Sequence, residues 1–502
     1  MGLFLAVSAM SAPSFGQSTE KNLAKYVRLR QRLLDEFTVI GDGPGESQPA
    51  VQRHDTNGYI KWADSTISLG WYIGVLATEQ YILSHSELFP GADGGDSSKL
   101  VATRAELGHA LGAMERLDQV AETAPFTAPC GTAAPALNGF FLRDDVPADF
   151  HTHFAPLTST QSDFIDPALN NKEMSQDQVY HVLLGLALVK ALVPEGTAVA
   201  GHDLRVWAVQ QATRIGKHVA DHNWVIYNPV CDRPVERGPL AAGYSGGTRQ
   251  ALGFITDGAL VPDTAPALID LWNAANNPDA APYIKADNLH MAMAIAAVGN
   301  GWGDTTAADL SKLADKQDWP LYPLLHRALH GDAASGWCAT GGKINTRARQ
   351  MLDELPDDGE PAHPSSGPAP HGFTTSNHFI RPKDQAYVGS PGCEGLRYVG
   401  LDYLLLFNLY AIATPATWAG SSGPGVPECG ATGGSGGTSG SGGAPSGGAA
   451  GAGGPTADGS DDSGCGCRSG RGSSGSALAA AFIALLAALG TRRSRVAERR
   501  RG

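Results

Sequence analysis

Long alternating runs of β-branched residues are absent from this chain, and short Val/Ile blocks do not recur between its helical stretches. That argues against a large parallel sheet. A phosphate-cradling Gly-x-x-x-x-Gly-Lys-Ser/Thr loop and a His-Glu-x-x-His pair are also missing, so those phosphate and zinc chemistries have no carrier. Charged residues make up only 17% of the chain, and the net charge is −13 over 502 residues. With no basic patch in the body, repulsion opposes nucleic acid and anionic polymers as partners. Cysteine is scarce. Cys130, Cys231, Cys338, Cys393 and Cys429 precede the tail; they are odd in number, too sparse for a disulfide scaffold, and without zinc spacing. No cofactor and no metal is expected. Neutral glycans, peptides and small molecules stay open as ligands.

What the chain has is helix. Ala24 to Phe37 is amphipathic, and Ser65 to Ser84 is long and apolar. Leu100 to Val120 carries Leu107, Leu111, Met114 and Leu117 at helical spacing. Gln176 to Leu192 follows Ser175, a natural cap. Leu204–His222, Ala267–Ala275, Leu289–Val298, Ala307–Lys316, Leu321–Leu329, Ile344–Leu355 and Leu401–Ala413 continue the pattern. The connections between several of them run from ten to more than forty residues, far beyond what helix packing needs. An all-α body built as an (α/α)6 toroid, with long loops walling a cleft, is the expected fold.

The ends differ from the body. Leu3 to Val7 and the small residues up to Gln17 read as a signal segment, residues 1–17, although a positive n-region is missing. The helical domain then spans 18–416. Residues 417–464 are a linker rich in Gly, Ser, Ala and Pro, which bury too little apolar surface to order. Residues 465–502 follow Gly464 and carry Cys465-Gly466-Cys467 at their start, an apolar run from Ala477 to Gly490, and six arginines behind it. That order suits a transmembrane helix with a cytoplasmic stop, although the run is shorter than the ~20 residues a bilayer core requires. The tail resembles the MYXO-CTERM sorting tails of myxobacterial surface proteins. The resemblance implies export to the bacterial cell surface or outer membrane, processing at Cys465 or Cys467, passage through sorting machinery, and membrane contact before processing. Release from the surface is the alternative.

Candidate chemistry gathers where loops enter helices. Asp55 and Asp64 flank Tyr59 and Trp62; carboxylates beside aromatic faces suit a sugar site, where the ring stacks and the acids move protons. Arg143-Asp144 is either a ligand clamp or a structural ion pair. His151 and His153 would share a face on a strand, where an added carboxylate could complete a metal site. Asp177 and His181 share a helix face while Tyr180 points elsewhere, and Asp177 falls in the first turn, where the dipole favours its charge. Asp177 with Tyr180 or His181 is expected to line the cleft. Trp224, Tyr227, Asp232 and Arg233 repeat the mix. His378, Arg381 and Asp384 lie in a long non-helical stretch of the kind kept for function. Gly243-Tyr244-Ser245-Gly246-Gly247 matches a nucleophile elbow literally, but the residues before it do not read as a strand, so a glycine-rich turn is expected.

In layout the body resembles bacterial (α/α)6 glycan-active enzymes, both glycoside hydrolases and polysaccharide lyases. The resulting expectation is a surface-tethered glycoside hydrolase acting on a neutral glycan or another envelope polymer. Asp55, Asp64, Asp177 and Asp232 are its candidate carboxylates. Tyr59, Trp62, Asp144, Tyr180, His181, Trp224, Tyr227, Arg233, His378, Arg381 and Asp384 are its candidate binding residues. A non-catalytic glycan- or envelope-binding protein is one alternative. A lyase using Tyr or His with Arg is the other, less suited to an acidic body.

Overall fold

The structure, a computed structural model, describes residues 15–62, 65–85, 97–126, 130–165, 172–239, 242–260, 293–299, 319–330, 344–361 and 395–414, with a few positions between 308 and 314. The chain divides into two compact units, and every described residue belongs to the first. The second, residues 390–393 and 444–502, lies outside the described residues, as do His378, Arg381, Asp384, the linker and the tail.

The described body is helix-rich with a few small sheets. Its helices are α1 (Phe15–Glu36), α2 (Ser65–Ser84), α3 (Ser97–Gln119), α4 (Gln176–Leu192), α5 (Leu204–Asp221), α6 (Ala242–Ile255), α7 (Leu321–His330), α8 (Ile344–Glu354) and α9 (Leu401–Ala413). Their composition decides their place. Helices α2, α4 and α9 are apolar on nearly every side, and nearly all their residues are buried, as a helix without a polar face must be. Helices α1 and α5 have one polar stripe and lie against the others with that stripe outward.

The central helices run in the same direction. Gly70 of α2 meets His181 of α4, Gly74 meets Leu184 and Leu188, and Gln80 Nε2 donates to the Leu192 carbonyl at 2.8 Å. Asn408 of α9 donates to the Val75 carbonyl and to Thr78 Oγ1. Helices α1 and α3 run the opposite way. Tyr26, midway along α1, and Thr103, early in α3, both donate to Glu79 near the end of α2. The end of α1 meets β1, where Arg53 donates to the Glu36 carbonyl, and the chain after α3 returns to the start of α2, where Ser65 Oγ donates to the Arg143 carbonyl. Helix α5 opposes α4 in the same manner. It begins just after α4 ends, with Leu204 N–H donating to Thr197 O, and leads to Asn228, which reaches Glu173 just before α4.

A buried ion-pair network joins α1, α2 and α3. Arg30 donates to Glu79 at 2.9 Å and to Glu106 at 2.7 Å, and Tyr72 also donates to Glu106. Burial pushes the Glu79 carboxyl up, but the Arg30 guanidinium and the Tyr26 and Thr103 hydroxyls outweigh it and hold the group below the usual carboxylate range.

Three corrections to the expected elements follow. First, strands exist where few were expected: β1 (Gln52–His54), β2 (Tyr59–Lys61), β3 (Ser159–Gln161), β4 (Ala198–Val199), β5 (His202–Asp203), β6 (Val225–Asn228), β7 (Arg233–Pro239) and β8 (Leu396–Tyr398). Most are two or three residues long, too short for a period of two to register. Second, His151 and His153 lie on a 3-10 turn, Phe150–Phe154, rather than a strand. His153 packs beside Phe150, and His151 meets Thr160 Oγ1. Among the described residues no cluster of three metal-ligating side chains occurs. Third, Ser245 lies inside α6, behind strand β7, and not in a glycine turn. An elbow would place the serine at the junction of strand and helix.

Candidate functional site

Three connections far apart in sequence meet in one four-stranded sheet, ordered β3-β2-β1-β8. Strands β1 and β2 come from the connection between α1 and α2, β3 from that between α3 and α4, and β8 from that between α8 and α9. Strand β8 pairs antiparallel with β1, Gln52 opposite Tyr398, and β3 pairs parallel with β2. Each connection then feeds the N-terminus of α2, α4 or α9, so the sheet marks the end at which those helices begin. A fourth connection, the β6–β7 hairpin after α5, joins the same end through two links. The Cys130–Cys231 disulfide ties it to the α3–α4 connection. Glu173 also accepts from Asn228 Nδ2 at 2.6 Å and from Arg233 Nη2 at 3.0 Å.

The start of α4 is the best-defined corner. Ser175 N–H donates to Gln178 Oε1 at 3.1 Å, one half of a capping box. The Ser175 hydroxyl donates to Asp177 Oδ1, which also accepts from Gln178 N–H. Asp177 is half-buried in the first turn, where helix-end amides favour a negative charge. His181 Nδ1–H donates to the Asp177 carbonyl at 2.6 Å, and its ring lies beside Trp71.

The carboxylates at this end are held in different ways. Asp55 sits in the β1–β2 turn, with Oδ1 taken by Arg53 and Oδ2 by Arg397 at 2.8 Å. Partial burial pushes its pKa up, but the two guanidiniums prevail and hold it below the usual range. Both oxygens are engaged, and a carboxyl kept ionised in this way cannot serve as a general acid. Arg397 also binds Glu36 and Glu360, so Asp55 belongs to a structural ion-pair network. Asp144 is wholly buried. Its Oδ1 accepts from Ser162 Oγ and Val146 N–H, its Oδ2 from Asp163 N–H at 2.9 Å. Burial pushes its pKa to about 6 against those hydrogen bonds. Arg143, equally buried, donates to the Glu173 carbonyl and faces Asp163 at 3.6 Å. Of the two readings of Arg143-Asp144, the structural one holds: neither side chain reaches the surface.

Trp62 is likewise corrected. It is buried in the core, where its indole N–H donates to the Gln48 carbonyl at 2.9 Å and its ring meets the edge of Phe150. Tyr59, Tyr180, His181 and Trp224 are buried as well. Aromatic rings near carboxylates in the sequence were expected to wall a cleft; packing turned these inward instead. Tyr227 and Arg233 remain partly exposed and Asp232 is exposed, all on the β6–β7 hairpin. Asp64 falls outside the described residues, immediately before α2.

Sequence reasoning passed over Glu173, Asp163 and Asn228. The only signal for Glu173 is its place two residues before a capping serine. The Cys130–Cys231 pairing carried no signal, since five cysteines permit many. No protein family, curated protein or solved structure matches the chain.

Proposed function

We propose that this chain is an exported, surface-tethered glycan-processing enzyme, a glycoside hydrolase whose helix pairs close into an (α/α)6 ring. The observation that carries the reading is the convergence of four long connections where α2, α4 and α9 begin. The ring is supported by the alternation of direction from α1 to α5 and by the matching direction of α9. On this reading Asp177 is the acid or base at the mouth. Asp232 and Asp64 are the candidate partners; the Arg233–Glu173 contact brings the hairpin bearing Asp232 to the start of α4. A separation of ~5–5.5 Å between the working carboxylates would mean retention, and ~6.5–9.5 Å inversion. The disulfide supports export, since such bonds persist in oxidising compartments. The tail, with Cys465 or Cys467 processed, would deliver the enzyme to the cell surface or outer membrane.

A reducing-end assay of the full chain across neutral and acidic polysaccharides tests this. Activity on a neutral glycan is expected, falling by ~10²–10⁴ in Asp177→Asn, the usual worth of general acid–base catalysis. Unchanged rates in Asp177→Asn, Asp232→Asn and Asp64→Asn would overturn the assignment. One observation favours a second reading, a non-catalytic glycan-binding surface protein: Asp55, Asp144 and Glu173 are all committed to structural partners. Binding without turnover would mark that protein.

A further inference from the structure

The hairpin after α5 is built in an unusual way. Asn223 and Trp224 leave the helix with φ of 55° and 64°, and Asp232 before β7 has φ of 47°. Left-handed backbone costs a residue with a side chain ~1–2 kcal/mol, and it persists only where surroundings over-determine it. Here they do. The disulfide at Cys231, the Glu173 contacts to Asn228 and Arg233, and the bond from His218 Nε2–H to the Tyr227 carbonyl at 3.1 Å all fix the hairpin.

This rigid frame holds two half-exposed rings. His222 stacks on Tyr227 at 4.9 Å with an interplanar angle of 15°. His222 Nδ1–H donates to the His218 carbonyl at 2.7 Å, which fixes the tautomer and leaves Nε2 as a hydrogen-bond acceptor. An aromatic platform with an acceptor beside it is what a sugar ring needs: apolar C–H groups for the ring, hydroxyls for the nitrogen. Arg233 is committed to Glu173 and the Pro234 carbonyl, so that guanidinium offers little to an acidic sugar.

We propose that His222 and Tyr227 form a preorganised subsite for a neutral pyranose ring. This rests on the glycan-processing reading and deepens it. The test is calorimetric titration of the full chain with cello-, xylo-, manno- and chito-hexaose, paired with the turnover assay. The wild type is expected to bind at least one of them. Tyr227→Ala should weaken that binding about tenfold, the scale of one aromatic contact. Tyr227→Phe, which keeps the ring, should stay within twofold. His222→Ala, which spares the strand, should also weaken binding and decides the matter if Tyr227→Ala does not fold. Wild-type binding in both alanine variants, with turnover still lost in Asp177→Asn, overturns the subsite and leaves the enzyme reading standing. A wild type that neither binds nor cleaves any of these sugars or the polysaccharides overturns both.

Discussion

Gly70 and Gly185 face each other across the contact of α2 with α4 so closely that a methyl group on Gly185 would press into the Gly70 carbonyl. A methyl on Gly70 would in turn strike the His181 backbone. The two central helices therefore touch backbone to backbone. Gly185→Ala should destabilise the protein by at least the ~1–3 kcal/mol typical of overpacking, because backbone cannot yield as a side chain does. Urea unfolding followed by circular dichroism checks this; a midpoint within error of wild type would show that the helices can separate freely.

Arg30 is the counter-ion of Glu79 and Glu106, which are largely withdrawn from water. Removing it in Arg30→Met leaves Glu79 and Glu106 charged and unpaired, a loss of ~3–5 kcal/mol at neutral pH. The sign with pH follows from the depressed Glu79 pKa. In the wild type its stabilising contribution is present above the unfolded carboxylate value and is lost as pH falls through the folded one. In Arg30→Met the order reverses, and acidification should recover part of the loss. A variant equally destabilised at pH 4 and pH 7 would contradict this.

Asp144 shows the opposite case. Its pKa of about 6 stands above the ordinary 3.8. Its contribution is fully present below the lower value and is lost as pH rises through the higher, on the order of 2–3 kcal/mol. Asp144→Asn should therefore flatten the stability profile between about pH 4 and 6. It should also cost some stability at every pH, because the amide has one accepting oxygen where Asp144 uses two, so either Val146 N–H or Asp163 N–H loses its acceptor. Thermal melts at half-unit pH intervals read both effects.

The Cys130–Cys231 bond closes a loop of 101 residues. Chain-entropy arguments give such a crosslink roughly 4–5 kcal/mol. The paired Cys130→Ser, Cys231→Ser variant should melt lower and should exchange the amides of the β6–β7 hairpin faster. Peptide mapping under non-reducing conditions should find the two cysteines joined; finding both as free thiols in the mature protein would remove the prediction.

Which helices are central was legible in the sequence. Ser65–Ser84, Gln176–Leu192 and Leu401–Ala413 are apolar all round, and all three form with the bounds read from their pattern. The sheet that gathers the connections was not, because three-residue strands carry no periodicity. While β1 and β2 are neighbours in sequence, β2 pairs with β3 (Tyr59 opposite Ser159) and β1 with β8 (Gln52 opposite Tyr398) across long stretches of chain. The site was legible only as a neighbourhood. Asp177 does sit in a first turn, as its place behind Ser175 implied. Trp62 and Tyr180 have the side chains a sugar wall uses, but residue type does not say which way a ring points, and both turned inward. Asp55 looked free because the arginine that claims its second oxygen is Arg397, from the other end of the body.

The seam between α1 and the last connection sets an order of events. Arg32 donates to the Tyr398 carbonyl across 366 residues of chain, and β1 finds its outer partner only in β8. Contacts of such span are late and slow to form. A nascent polypeptide that stops short of Leu396 lacks both β8 and the Tyr398 carbonyl, so these two contacts form only after that late segment is made. Such delay would suit the proposed export, in which the chain crosses a membrane before it locks shut.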